Sequence, residues 1–284
     1  MAIKIFTPEE IKAENGLKIG KSIFEHTLVI FYINEKGKPQ PAASAICLKY
    51  EEDHFIVTAS HALRNLEGYR VGMIPEANWK PLDGEYVMSD YPKINDDKFD
   101  IAIVKLDRES VEKITPSYLR FFDLKGFRPD HDDEEGQTYL LVGHPVTKTK
   151  LNHAKGKKHL APLIYLSDLN LQESLFIRQG FRPLTHQLLN YRPRRIFDLN
   201  ETPVQGPKPV GLSGCGIWKL SDLITDSHQS IRFFPTSMVI EFDDNYSVLA
   251  ATRINVITEM IRREFNISLP ASSYLEIPPG MMHS

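Results

Sequence analysis

The sequence predicts an all-β protein built on antiparallel strands, with a helix closing the chain. Three observations point there. Short runs rich in β-branched and aromatic residues recur along the first half, each bounded by a polar turn. Between those runs the chain lacks the length and spacing of crossover helices, so neighbouring strands are expected to run antiparallel. Near the end the apolar residues change to helical spacing, at Val256, Ile257, Met260, Ile261 and Phe265.

Composition fixes the class before any motif does. A chain of 284 residues holds one large domain or two small ones and can bury a sizeable core. With 42% hydrophobic and 25% charged residues it has the balance of a soluble globular protein. A net charge of -3 argues against a general nucleic-acid binder. The two cysteines, Cys47 and Cys215, form at most one bridge, which fits a reducing compartment and predicts a cytoplasmic protein. Met1 to Phe6 is too short for the apolar core of a signal peptide, and no run approaches the roughly 18 apolar residues of a membrane span.

Taken in order, Thr7-Pro8-Glu9-Glu10 reads as a helix start, with Asn15-Gly16 as its stop. Thr27 to Asn34 is a strand, the turn Glu35 to Lys38 follows, and Ala42 to Tyr50 is the next strand. A second turn, Glu51 to Asp53, leads into His54 to Thr58. That third strand ends in Thr58-Ala59-Ser60-His61-Ala62-Leu63, where a rigid β run would fix an imidazole and leave its edge open. In Phe99-Asp100-Ile101-Ala102-Ile103-Val104 a carboxylate stands at the mouth of an apolar strand. Desolvating it without a partner would be costly, and His61 is the candidate partner.

The run Asp130-His131-Asp132-Asp133-Glu134-Glu135 lacks the alternating spacing of a calcium loop and reads as a solvated linker. Beyond it, Leu160 to Leu166, Leu171 to Arg178 and Leu184 to Phe197 are candidate strands joined by long loops. The basic clusters at Lys155, Lys157 and Lys158 and at Arg192 to Arg195 read as solvated surface rather than a nucleic-acid contact. Glycines bracket a serine in Val210-Gly211-Leu212-Ser213-Gly214-Cys215-Gly216. They let the chain turn tightly, so that the Gly211 and Ser213 amides can converge beside the Ser213 hydroxyl. Cys215, two residues on, reads as a small buried residue.

His61, Asp100 and Ser213 follow one another in an order that, with its local motifs, resembles the chymotrypsin/trypsin-like serine proteases, in their bacterial, cytoplasmic form. Thr58-Ala59-Ser60-His61 is similar to that family's Thr-Ala-Ala-His, Asp100-Ile101-Ala102-Ile103 to its Asp-Ile-Ala-Leu, and Gly211-Leu212-Ser213-Gly214 to its Gly-Asp-Ser-Gly. Tyr139 to Pro145 resembles the strand and Gly-x-Pro bend that open a second barrel, and Leu249 to Ile254 resembles a last strand. The resemblance implies two six-stranded antiparallel β-barrels with the site in the cleft between them, and a closing helix with Asn255 as a cap. It divides the chain into an N-terminal helical segment (1–17), a first barrel (18–112), a connection (113–135), a second barrel (136–255) and a C-terminal helix and tail (256–284).

The implied activity is peptide-bond cleavage in a protein or peptide substrate. His61 would be the general base, Asp100 its orienting partner, Ser213 the nucleophile, and the Gly211 and Ser213 amides the oxyanion hole. No metal or cofactor is required. The departures carry information too. Leu212 replaces the aspartate that would pair with a cleaved N-terminus, so the oxyanion amides are expected either to be formed from the start or to be ordered by an activating protein partner or ligand. Pro207 stands where a trypsin-like acid would select Arg or Lys, so trypsin-like basic specificity is not supported, and Glu241 and the loop Asp243-Asp244-Asn245 are the other candidates to approach that pocket. A catalytically silent binding or sensor module and an esterase remain the competing classes.

Overall fold

The computed structural model describes residues 16, 18–66, 70–73, 79–89, 99–114, 117–145, 150–152, 157–159, 163–192, 196–197, 203–204, 209–220 and 232–275. The expected helix start at Thr7 lies outside them. Gly16 is helical instead of a stop, and it leads into α1 (18–24). Gly16 and Gly20 face Leu166 and Ile164 so closely that a Cβ on either would sit 2.7 and 2.6 Å from those side chains. Two glycines one turn apart therefore let α1 lie directly on the second sheet.

The first sheet contains β1 (Thr27–Ile33), β2 (Pro39–Tyr50), β3 (Asp53–Ala59), β4 (Arg70–Met73), β5 (Lys80–Pro81), β6 (Gly84–Met88), β7 (Ile101–Leu106) and β8 (Phe122–Asp123). Its order is β5-β4-β1-β2-β3-β7-β6, antiparallel throughout, while β8 lies parallel to β2. Two short helices interrupt it, α2 (Ser60–Arg64) after β3 and α3 (Arg108–Ile114) after β7. The second sheet takes β9 (Tyr139–Gly143), β12 (Leu163–Ser167), β13 (His186–Asn190), β16 (Gly216–Leu220), β17 (Phe233–Asp243) and β18 (Val248–Arg253), in the order β12-β9-β16-β17-β18-β13. Two minor hairpins, β10 (Lys150–Asn152) with β11 (Lys157–His159) and β14 (Ile196–Phe197) with β15 (Pro203–Val204), stand apart from it. Helix α5 (Ile254–Glu264) follows β18. The chain is thus mostly β, two curled antiparallel sheets and a C-terminal helix.

Period-two alternation explains why these strands read as continuous apolar runs. On β3, Phe55 and Val57 enter a core shared by both sheets and α5, while Ile56 enters the interior of the first sheet. On β9, Leu140 and Val142 face the shared core and Tyr139 and Leu141 the interior of the second sheet. Each central strand therefore buries both of its faces, and the two sheets are joined by a common apolar layer.

Three expectations change. Leu171 to Arg178 is largely helix α4 (Glu173–Gln179), which buries Leu175 and Phe176 and leaves Ile177 exposed. Gly180, with φ 69°, ends it in the left-handed conformation. The cap of α5 falls on Arg253 without a side-chain hydrogen bond, while Asn255 Oδ1 accepts the Val256 amide from inside the first turn. The acidic run keeps Asp132, Glu134 and Glu135 exposed, as a solvated linker would, but it is also strapped to remote elements. Asp130 accepts from Ser272 and Ser273, Asp132 from Tyr274, Asp133 from Arg253 and Gln187, and Glu134 pairs with Lys219. Those partners lie 54 to 143 residues away in the chain, beyond the reach of any local reading.

Candidate active site

Strand register brings His61 to Asp100. β3 and β7 pair with Thr58 opposite Ala102 and Ala59 opposite Ile101, so the chain leaving β3 meets the residue entering β7. Helix α2 begins at that point and holds the imidazole above the carboxylate. His61 Nδ1 lies 2.5 Å from Asp100 Oδ2, and the His61 amide donates to Oδ1 at 2.8 Å. A third donor, the buried Ser60 hydroxyl, reaches the same Oδ1 at 2.6 Å. The Ser60 amide also donates to the Asp100 carbonyl at 3.0 Å, and Thr252 Oγ1 of the second sheet donates to the Phe99 carbonyl. These bonds hold Asp100 at φ 47°, a left-handed conformation that aspartate tolerates better than most residues.

The Asp100 side chain is 12% exposed and the imidazole 43%. The buried carboxylate therefore works as an acceptor with one oxygen on Nδ1, which leaves Nε2 as the unprotonated edge of a neutral ring. The hydrogen bond to Asp100 raises the His61 pKa above its ordinary value, against the opposing effect of burial. Arg64 lowers it and Glu241 raises it through space.

Ser213 sits on a loop pinned to the first sheet. Gly211 and Gly214 adopt φ 87° and 86°, as the tight turn requires. Inside the turn the Leu212 amide donates to Pro209 and the Cys215 amide to Leu212. Ser44, on β2, ties the loop down. Its amide donates to the Ser213 carbonyl at 3.0 Å and its hydroxyl to the Gly211 carbonyl at 3.2 Å. The same hydroxyl accepts the His144 amide at 2.9 Å, so one serine joins the loop to both sheets. The Gly214 amide donates to Val239 of β17 at 2.8 Å, and a Cβ on Gly214 would stand 1.9 Å from the Ser44 carbonyl oxygen and 2.5 Å from Thr58 Oγ1. Only glycine fits there, and the loop thereby packs against the strand that carries His61 at its end.

The Ser213 hydroxyl donates to the Ile240 carbonyl at 3.5 Å, the outer limit of a hydrogen bond. Among the described residues no hydrogen bond joins Ser213 to His61, and neither the Gly211 nor the Ser213 amide donates to another group. The structure thus brings His61 and Asp100 into direct contact and holds Ser213 on the neighbouring loop. Cys215 is buried, its thiol pushed up to about 12 by desolvation, and its sulfur fills the space a Cβ on Gly143 would need. Pro207, Lys155, Arg194 and Arg195 lie outside the described residues. Asp243 accepts from Gln179 and from the Asn245 and Tyr246 amides, so it shapes its own turn. Among the described residues no group of three or more His, Cys, Asp or Glu side chains could hold a metal, and no helix is long and apolar enough to cross a membrane.

Sequence reasoning missed Ser60 and Ser44. Ser60 is the one departure from the Thr-Ala-Ala-His pattern, and that substitution was the available signal. Ser44 carries none, because its role depends on partners 100 and 167 residues distant.

No protein-family model matches the chain, and no curated protein matches it. Several solved structures are similar in shape. GrC aligns at 13% identity over 86% of this chain and 95% of its own, with a TM-score of 0.48. The tobacco vein mottling virus protease aligns at 8% identity over 94% of this chain and 88% of its own, with a TM-score of 0.45.

Proposed function

We propose that the chain is a serine endopeptidase acting through His61, Asp100 and Ser213. The observation that carries this reading is the His61–Asp100 contact, made by a buried, triply donated carboxylate beside a serine loop built on two left-handed glycines. The reaction requires the Ser213 hydroxyl to leave the Ile240 carbonyl and to meet Nε2 of His61. Ser213 Oγ then attacks the carbonyl carbon of the substrate as its proton passes to Nε2. Asp100 stabilises the imidazolium, and the Gly211 and Ser213 amides receive the oxyanion. Collapse breaks the C–N bond, with the proton delivered to the leaving amine. Water, deprotonated by His61, releases the acyl group and restores the hydroxyl. No metal or cofactor takes part.

A peptide substrate is favoured over a small ester by the open edge of β17. Among the described residues, backbone bonding on its β16 side ends at Val239, which pairs with Cys215 and Gly214, while pairing with β18 continues to Asp243. Backbone groups beside Ser213 are thus presented for strand addition. The free thiols of Cys47 and Cys215 suit a reducing, cytoplasmic setting.

The Ser213 hydroxyl's present acceptor, Ile240, favours a second reading, a silent module that binds without cleaving, and it also makes the hydroxyl's move from that acceptor the step an activating partner or ligand would drive. A fluorophosphonate probe separates the two. Labelling mapped to Ser213, and lost in His61→Ala, is the expected outcome. An unlabelled serine in the wild-type chain, alone and in lysate, would establish the silent module.

A further inference from the structure

Helix α2 carries the imidazole but has little of its own to hold it in place. Its five residues make little more than one turn, and no side chain caps its start at Ala59. Ala62 and Leu63 are buried in the interior of the first sheet, which chooses the face the helix presents. Apolar burial is non-directional, however, so the exact seat of the helix depends on its hydrogen bonds. At the leading end the Ser60 and His61 amides donate to the carbonyl and the carboxylate of Asp100. At the trailing end Arg64, the last helical residue, donates from Nη2 to the Ser89 carbonyl. Ser89 directly follows β6 and is tied to β7 in turn. Its amide donates to the Ile101 carbonyl at 2.8 Å, and its hydroxyl accepts the Ile101 amide at 2.8 Å. The two ends of α2 therefore close on Asp100 and Ile101, where the chain enters β7.

We propose that Arg64 is a positioning residue for the His61–Asp100 pair, clamping α2 across the ends of β6 and β7 so that Nδ1 stays on the carboxylate as the ring takes up and releases a proton. Its part in turnover rests on the endopeptidase reading above. A charged donor makes a stronger bond to a part-buried carbonyl than a neutral one, which suits a tie at the end of so short a helix. The guanidinium also acts on the ring through space, opposing Asp100 and Glu241 and favouring the neutral imidazole that accepts a proton.

The test compares the wild-type chain with Arg64→Ala, Arg64→Met and Arg64→Lys by two readouts. One is the rate at which the fluorophosphonate labels Ser213, and the other is the proton resonance of His61 Nδ1, assigned by its loss in His61→Ala. Arg64→Ala should slow labelling by roughly tenfold, the scale of one lost hydrogen bond from a charged group, and should broaden the Nδ1 resonance by opening it to exchange with water. Arg64→Met, which keeps an unbranched stem, should do the same and replaces the alanine variant if that chain does not fold. Arg64→Lys keeps a charged donor and should restore most of both signals. Wild-type labelling in the alanine and methionine variants, slowed labelling beside an unchanged resonance, or a lysine variant no better than methionine would each overturn the clamp and leave the endopeptidase standing. A wild-type chain that takes no label overturns the endopeptidase reading, and the Nδ1 resonance then decides by itself whether Arg64 holds the pair.

Discussion

Three donors converge on the Asp100 carboxylate, and one of them, Ser60, has a consequence for pH. A hydrogen bond to a carboxylate stabilises the anion and makes it a weaker partner for the imidazolium. Removing it with Ser60→Ala should strengthen the hold of Asp100 on protonated His61. The acidic limb of the kcat/KM profile, already expected above the ordinary histidine value of about 6.5, should therefore move further up. At neutral pH kcat should fall by roughly tenfold, as expected for the loss of one hydrogen bond to a charged group. A fall in activity with an unmoved limb would show that Ser60 only packs. For stability the sign is the usual one for a raised histidine pKa. The stabilising contact with protonated His61 is complete below about 6.5 and is lost as pH rises through the folded value.

At the scale of the element, the acidic strap decides how the second sheet is closed. Arg253, at the end of β18, donates to Asp133 and to the carbonyls of Pro183, His186 and His131, and both members of the pair are nearly buried. Asp133→Ala should cost about 3–5 kcal/mol, because it leaves the guanidinium buried without its counter-ion. Urea denaturation measures it, and a loss below about 1 kcal/mol would show the pair to be solvated. The elements themselves were largely legible. Thr27 to Asn34, Ala42 to Tyr50 and His54 to Thr58 announced β1 to β3 because both faces of those strands are buried and their turns are polar. α4 was misread because seven residues offer too little periodicity to outweigh an apolar run, and the strap because charge composition says nothing about remote partners.

Across the whole molecule, the shared apolar layer joins the two sheets, and a half-buried histidine ties stability to pH. His131 packs against Phe127 and Phe234 beside Arg253 and Lys219, and desolvation lowers its pKa to about 4. The unfolded chain takes up a proton near pH 6.5 that the folded chain refuses, so stability falls as pH drops from there toward 4. Thermal denaturation should register a loss of at most about 2 kcal/mol over that window, reduced in His131→Gln. A pH response identical in both would place its origin elsewhere. At this scale, too, the local motifs around His61, Asp100 and Ser213 were readable as sequence. The meeting of the first two, however, depends on the β3–β7 register, and the placement of the third on Ser44.

The Ser44 linkage also bears on biosynthesis. Its two hydrogen bonds to the loop come from a strand made early, and the acceptor residues Gly211 and Ser213 leave the ribosome more than 160 residues later. A nascent chain therefore has the anchor long before it has the turn, and an excised second half would have the turn without its anchor. The Ser213 hydroxyl can be set in place only once both halves of the polypeptide have come together.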